Sequence, residues 1–428
     1  MTFSGFGALL VILGQVVAWP ALLHGQLQND GMVILMEGPG NSEPVCTVPL
    51  DPGSTSMDKQ LRAIKKVQKK LRKEEAMLEY YFSDTVMFIL CISADSISLL
   101  RQKVYPCFRR SLLAFRKKLS SADIYDITQL GQKLYSILVS PVITLLSSVN
   151  RLIIIPGPEL GGIPFEAFVN SGSGKETTHL NENHYLLFDF EIIYNYSADL
   201  WSASVNSPES SRIMHLSEPD IAFTGISPVF TNHPSLNPLP GSKHEVNTIS
   251  TMFRKMGLKS CVLSEEDSQE SRFKEVASNS RILHLATHSY RSHKDNTSNG
   301  FLFWGFDPSG DKDSDQDGVL TSGEICDLDL KADLIVLNSC SSGLCHTGDE
   351  ITECQHPLDF LRAGAKNIVS ALWNVTDHIA GSFMVGFYRY WFKGLPYSAA
   401  LRQTKLEMIR NPKTALPTLW APYILVGQ

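Results

Sequence analysis

Apolar positions change their spacing along the chain, and each change marks an element. Residues 80–94 contain the continuous run Val86-Met-Phe-Ile-Leu-Cys-Ile92, and Arg151-Leu-Ile-Ile-Ile155 is a second run, halted by Pro156-Gly157-Pro158. Short apolar runs bounded by turn residues predict buried strands. Helical spacing fills 96–150 between them. From about residue 218 the two patterns alternate. Strands are predicted at 221–225, 260–263, 281–286, 301–305, 334–337, 367–372 and 423–426. Helices are predicted at 243–256, 268–278, 322–327, 357–363, 379–392 and 398–409. Continuous apolar strands alternating with amphipathic helices predict an α/β fold, with a mostly parallel sheet and helices on both faces.

The start of the chain reads differently. Residues 2–29 contain no Asp, Glu, Lys or Arg and carry the apolar core Gly7-Ala-Leu-Leu-Val-Ile-Leu-Gly14. A signal sequence or anchor has this look, but no basic residue precedes the run and no clear small-residue cleavage site follows. A buried helix or a remnant is the competing reading. The cytoplasm is the expected compartment. Secretion, or membrane contact through this segment, is the alternative. Residues 30–58 are rich in Gly, Pro, Ser and Thr and read as linker. Lys59, Arg62, Lys65, Lys66, Lys69, Lys70, Arg72 and Lys73 then share a helix with Leu61, Ile64, Val67 and Leu71 at helical spacing. That amphipathic basic helix reads either as a contact for an anionic surface or as a solvated face covering the next domain. The organisation expected is 1–58 apolar segment and linker, 59–217 basic helix and first α/β half, and 218–428 second half.

Composition narrows the class. Of 428 residues, 43% are hydrophobic and 19% charged, which is globular and not disordered. With 38 basic against 44 acidic residues the net charge is −6, so a generally basic nucleic-acid binder is excluded. Eight scattered cysteines do not make a disulfide scaffold. No 34-residue helical repeat is present. Cys345, His346, Cys354 and His356 fit no common zinc spacing. Asn195, Asn296 and Asn374 head glycosylation sequons, which matter only in a secreted chain.

Ligands of parallel α/β sheets bind beyond the carboxyl ends of the strands. Two reactive side chains fall there. His288 follows the strand in Ile282-Leu-His-Leu-Ala-Thr-His288, and Cys340 follows the strand in Asp333-Leu-Ile-Val-Leu-Asn-Ser-Cys340-Ser-Ser-Gly343. If the strands are neighbours, the imidazole can take the thiol proton and later protonate a leaving amine, while the thiolate attacks a carbonyl. The backbone N–H groups of Cys340 and Ser289 are the candidate oxyanion donors. A small buried cysteine is the alternative.

At these residues the chain resembles the CHAT domain family, relatives of caspases and separases. Further blocks carry the resemblance over roughly 74–428: Ile155-Pro-Gly-Pro-Glu-Leu-Gly-Gly-Ile-Pro-Phe-Glu-Ala167, Leu239-Pro-Gly-Ser-Lys-His-Glu245, Gly318-Val-Leu-Thr-Ser-Gly-Glu-Ile325, Phe360-Leu-Arg-Ala-Gly-Ala365, Leu372-Trp-Asn-Val-Thr-Asp377 and Trp420-Ala-Pro-Tyr-Ile-Leu-Val-Gly427. The resemblance implies a caspase-like fold with a non-catalytic first half. It also implies a Cys–His dyad, with Cys340 as nucleophile and His288 as base and acid. The implied activity is that of a cysteine endopeptidase acting on a protein or peptide through an acyl-enzyme, with no cofactor required. The alternative is a catalytically weak or inactive adaptor of the same fold. Relatives commonly follow tetratricopeptide repeats, so a repeat-bearing or other regulatory protein is an expected partner. His284 is expected in the core, and Asp377 and Trp373 in packing and loop order. The family's usual Gly after the catalytic His is Ser289 here, and its usual acidic residue after the Cys is Ser341. Ser289 is expected to strain if the backbone there is left-handed.

A second signal is Asp313-x-Asp315-x-Asp317-Gly318-Val-Leu-Thr-Ser-Gly-Glu324, which fits a calcium loop position by position. Asp313, Asp315, Asp317, the Val319 carbonyl and Glu324 are the ligands expected for Ca²⁺. An accidental match next to a family block is the alternative, and the helix that should precede such a loop is missing.

Overall fold

The computed structural model describes residues 33–37, 47–48, 55–83, 85–121, 123, 126–170, 180–205, 221–231, 233–290, 299–307, 317–339, 344–347, 350–353 and 356–428. The apolar segment 1–29, the sequon at Asn296, Asp313, Asp315, Cys340, Ser341 and Cys354 lie outside them. Two compact units divide the chain: Met1–Leu113, Lys133–Leu160 and Tyr194–Asn206 form the first, and Ala114–Gln132, Gly161–Ile193 and Ser207–Gln428 the second.

In the first unit, strands β1 (Val33–Glu37) and β2 (Thr47–Val48) precede helix α1 (Thr55–Gln68). β3 (Glu75–Phe82), β4 (Val86–Ser93), β5 (Ile97–Lys103) and β6 (Arg151–Ile155) follow, in the spatial order β2-β1-β5-β4-β3-β6. β3 and β4 form an antiparallel hairpin, while β3 and β6 run parallel. Two expectations are corrected. Residues 30–58 are not all linker, because Val33-Ile-Leu-Met36 supplies a strand parallel to β5. Residues 96–150 are not all helical either. β5 pairs antiparallel with β4 and turns Ile97 and Leu99 to the core, so pairing overrides a weak helical spacing. The helices Cys107–Ser121 and Ile127–Leu138 come after it. Ile64, Val67 and Leu71 pack with Met77, Leu90 and Ile92, while Arg62, Lys65, Lys66, Lys69, Arg72 and Lys73 are exposed. Arg62, Lys65 and Lys66 are thus on the solvated face of α1, which covers its own sheet; the helix ends at Gln68, short of the expected Lys73, and Lys69, Arg72 and Lys73 lie in the turn after it.

In the second unit the elements are β7 (Glu191–Tyr194), β8 (Phe223–Ser227), α2 (Pro240–Lys255), β9 (Ser260–Ser264), α3 (Glu270–Ala277) and β10 (Ile282–Leu285). There follow β11 (Ser289–Tyr290), β12 (Gly300–Leu302), β13 (Val319–Thr321), α4 (Ser322–Cys326) and β14 (Leu334–Leu337). The chain ends with β15 (Leu344–Thr347), β16 (Glu350–Glu353), α5 (His356–Arg362), β17 (Ile368–Ala371), α6 (Asp377–Phe392), α7 (Tyr397–Arg410) and β18 (Tyr423–Val426). The main sheet has the order β7-β18-β17-β14-β10-β8-β9. β9, β8, β10, β14 and β17 are mutually parallel, and β18 returns antiparallel to β17. β11-β12-β13 and β15-β16 are small separate antiparallel sheets.

Successive side chains on a strand point to opposite faces, and here both faces are covered. Leu283, Leu285, Ile335 and Leu337 join Phe273 of α3 and Phe360 of α5 in one core cluster. Phe223 and His284, on the other face, meet Phe253 of α2 and Tyr388 of α6. Double coverage is why these strands read as unbroken apolar runs. Gly225 lets α2 lie close on β8, since a Cβ there would fall 2.3 Å from Cγ1 of Val246. Among the described residues, no helix is long and apolar enough to cross a membrane.

Candidate active site

β10 and β14 are adjacent and parallel, with Leu285 opposite Leu337. His288 and Cys340 each stand three positions past that pair, so the register carries both loops out side by side. Ala286, Thr287 and His288 from the first loop, and Asn338 and Ser339 from the second, line one cleft with Trp373. Cys340 itself is outside the described residues. Ser339, its neighbour, is buried on the cleft wall, and Asn338 N–H donates to the Leu285 carbonyl at 2.9 Å. The two loops are therefore stitched together as far as Asn338, two residues before Cys340 in the sequence.

His288 Nε2 lies 2.7 Å from the Asn237 carbonyl oxygen. A carbonyl only accepts, so Nε2 carries the hydrogen and Nδ1 is left as the lone-pair nitrogen of the neutral ring. The Phe230 ring backs the imidazole at 5.3 Å between centroids. Phe230 and the residue before it, Val229, have φ of 57° and 64°. A left-handed backbone at two such residues costs on the order of 1–3 kcal/mol each, and is held where surrounding contacts over-determine it. Here Leu239 N–H donates to the Val229 carbonyl at 2.7 Å, and the turn aims Phe230 at the histidine. Sequence reasoning passed over Asn237 and Phe230. Both lie in the segment between the carboxyl end of β8 and α2, and nothing in their residue types marks them.

Ser289 departs from its expectation. It lies in β11 opposite Phe301 and is not among the residues with positive φ. The left-handed strain expected of a side chain there is absent. Leu302 N–H donates to the His288 carbonyl at 2.9 Å, so in this ladder Ser289 N–H is directed away from β12.

Beneath the cleft sits a buried polar network. His284 points into the core, with Nε2 2.7 Å from Glu245 Oε1 and Nδ1 3.2 Å from the Tyr388 hydroxyl. Burial holds the Tyr388 hydroxyl well above its ordinary pKa, so it donates to Nδ1, and His284 Nε2–H donates to the carboxylate. Asn338 Nδ2 donates to both Glu245 oxygens, at 2.9 Å each.

Asp377 opens α6 and accepts from Gly241 N–H in the first turn of α2 at 2.5 Å, placing an anion at a helix N-terminus. A Cβ at Gly241 would lie 2.4 Å from Asp377 Oδ2. Gly241→Ala should lower stability by about 1–3 kcal/mol, measured by urea denaturation. An unchanged midpoint would show that this contact holds nothing in place. Trp373 packs at the cleft and donates its indole N–H to the Thr418 carbonyl at 3.0 Å.

The acidic loop is only partly described. Asp317 Oδ1 accepts from Val319 N–H at 2.7 Å. Glu324 is engaged by protein groups: Oε1 meets Lys274 Nζ at 2.8 Å, and Oε2 accepts from Thr321 N–H and Thr321 hydroxyl, each at 2.8 Å, in a capping box. No cluster of three or more His, Cys, Asp or Glu suited to a metal ion occurs among the described residues. Burial brings His356 down to about 4, and its Nδ1 lies 3.1 Å from Ser322 Oγ.

A parallel sheet with a histidine loop and a cysteine-bearing loop leaving neighbouring strands is the architecture of caspase-like α/β proteins. Two crystal structures of the Saccharomyces cerevisiae separase–securin complex share this fold. Their TM-scores are 0.55 and 0.53 and their identities 11% and 13%, over 87% of this chain and 31% of theirs. The CHAT domain model matches residues 128–428, and the chain belongs to that family. Tetratricopeptide repeat protein 28 of Homo sapiens is 32% identical over 114 residues, and its Mus musculus counterpart 31% over 111. Each match covers 26% of this chain and 4% of the relative's length.

Proposed function

We propose that the chain is a cysteine endopeptidase whose nucleophile is Cys340 and whose base and acid is His288. The observation that carries this reading is the β10–β14 register, which delivers the two loops to one cleft with His288 Nε2 tied back to Asn237. The proton of the thiol passes to Nδ1, and the thiolate adds to a peptide carbonyl carbon. Backbone N–H groups of Cys340 and Ser289 receive the oxyanion. Nδ1–H then protonates the departing amine, leaving a thioester. Water, deprotonated by Nδ1, hydrolyses the thioester and frees the thiol. This cycle needs no metal or cofactor. A protein or peptide is the substrate. A relative named for tetratricopeptide repeats supports a repeat-bearing regulatory partner.

The test is site-resolved labelling with peptidyl acyloxymethyl ketones, which alkylate a reactive thiolate and release a carboxylate. Burial pushes the Cys91 thiol up to about 12 and also raises Cys261, so both are internal standards of an unreactive thiol. Cys340 should label far faster than either. Equal rates would remove the nucleophile and leave a non-catalytic interaction module.

Calcium on the acidic loop is a separate proposal. An ion there must take Glu324 from Lys274. Lys274→Met removes the competing ammonium and should bind calcium more tightly than the unaltered chain. Calorimetry giving no heat with either protein at millimolar calcium would remove the ion.

A further inference from the structure

Resting on the peptidase reading, we infer that Glu245 is the positioning residue of the dyad, acting through Asn338 and His284. Its carboxylate is 1% exposed and bonds one side chain from each of the two segments that lead to the reacting groups. One oxygen takes the Nε2–H of His284, four residues before His288, and both oxygens take the amide of Asn338, two residues before Cys340. Main-chain bonds already hold β10 and β14 in register, but the last of these described between the two strands ends at Asn338 N–H. Beyond it, the Asn338 side chain is the described anchor of the segment that leads to the sulfur. The carboxylate is itself fixed, because Glu245 stands on α2. That helix is set close to β8 by Gly225 and latched at its first turn by Asp377.

The chemistry of the three groups dictates a polarity. His284 and Asn338 both present N–H, so the residue between them must accept on both sides. Glutamate accepts through two oxygens, whereas glutamine keeps one acceptor and puts an NH₂ where the second oxygen stood. Glu245→Gln keeps the size and the bond from His284, but turns an NH₂ toward the NH₂ of Asn338. Asn338→Asp alone sets two carboxylates against each other. The two changes together let the introduced amide donate to a carboxylate at position 338 while its oxygen still accepts from His284, with one buried carboxylate as before. A role confined to filling space has no reason to show that reciprocity.

The experiment measures maximal labelling rate and half-saturating probe concentration separately, on the full chain with one peptidyl acyloxymethyl ketone, alongside melting temperature. Glu245→Gln and Asn338→Asp should each cut the maximal rate by about a hundredfold, the scale of a misplacement near 1 Å, with half-saturation within about twofold. The double variant should return to within about fivefold of the unaltered chain. If Glu245→Gln does not fold, Asn338→Ala, which removes the tie without adding charge, must show the same loss of maximal rate. Unchanged rates in variants whose unaltered parent labels at Cys340, or a double variant no faster than the singles, would overturn the inference. A parent that fails to label selectively at Cys340 overturns the peptidase reading, and this inference with it.

Discussion

Exchanging Cys340 for Ala should reduce peptide hydrolysis by about 10⁴-fold or more, while the melting temperature stays within a few degrees. No other group in the proposed cycle can form the thioester, and a methyl in place of a thiol removes little packing. His288→Ala should be nearly as damaging at neutral pH, but its residue of activity should behave differently. Without an imidazole to take the proton, the thiolate fraction follows the pH of the solvent, so the labelling rate of the His288→Ala protein should climb through about pH 8.5, the ordinary range of a free thiol. The parent chain should reach its plateau well below that. Asn237 enters the same experiment only through its backbone carbonyl, so replacing its side chain should change little. Cleavage that survives Cys340→Ala, or a His288→Ala profile identical to the parent's, would separate the chemistry from this cleft.

The contrast between those residues explains what could be read from the chain. His288 and Cys340 stood out because each ends an unbroken apolar run, and a run buried on both faces is the strongest signal a strand can leave. For the same reason 334–337 and 423–426 coincide with β14 and β18 to the residue. β5 left a weaker trace. Its Ile97-Ser-Leu-Leu start also suits a helix, and only the hairpin partner β4 decides the matter. β1 is five residues in a Gly- and Pro-rich stretch, and it is a strand only because β5 is beside it. Within the site, Asn237 was illegible because it offers a carbonyl, which every residue has. Val229 and Phe230 were illegible because neither is a residue that turns are expected to use. Glu245 was visible as part of a motif, yet its partners are 39 and 93 residues away, a distance no local pattern spans. The familiar blocks are familiar for a physical reason. Gly241, Glu245, His284, Asn338 and Asp377 come from four of them and interlock beneath one cleft.

In the first unit, Glu79→Gln should make the protein more stable at pH 8 by up to about 3 kcal/mol, and change little at pH 4.5. Glu79 sits within β3, opposite Leu90 of β4 and Ile155 of β6, 5% exposed, with one buried oxygen lacking a hydrogen-bond partner. Burial pushes its carboxyl up to about 7. The Tyr81 hydroxyl partly offsets this and the Asp199 charge adds to it. An acid whose folded pKa lies above its unfolded value of 4.5 binds its proton more tightly when folded. Stability is therefore unaffected below 4.5. It declines as pH rises from there to about 7, where the unfolded chain has ionised and the folded one has not, and above 7 the loss is complete. Glutamine carries no proton to lose, so the difference between variant and parent should open over that same window and then stay constant. Urea denaturation at half-unit steps from pH 4.5 to 8.5 measures it. A parent and variant whose stabilities run parallel across the window would mean that Glu79 ionises in the folded protein as easily as in water. The carboxyl would then be reached by solvent, and not held in the core.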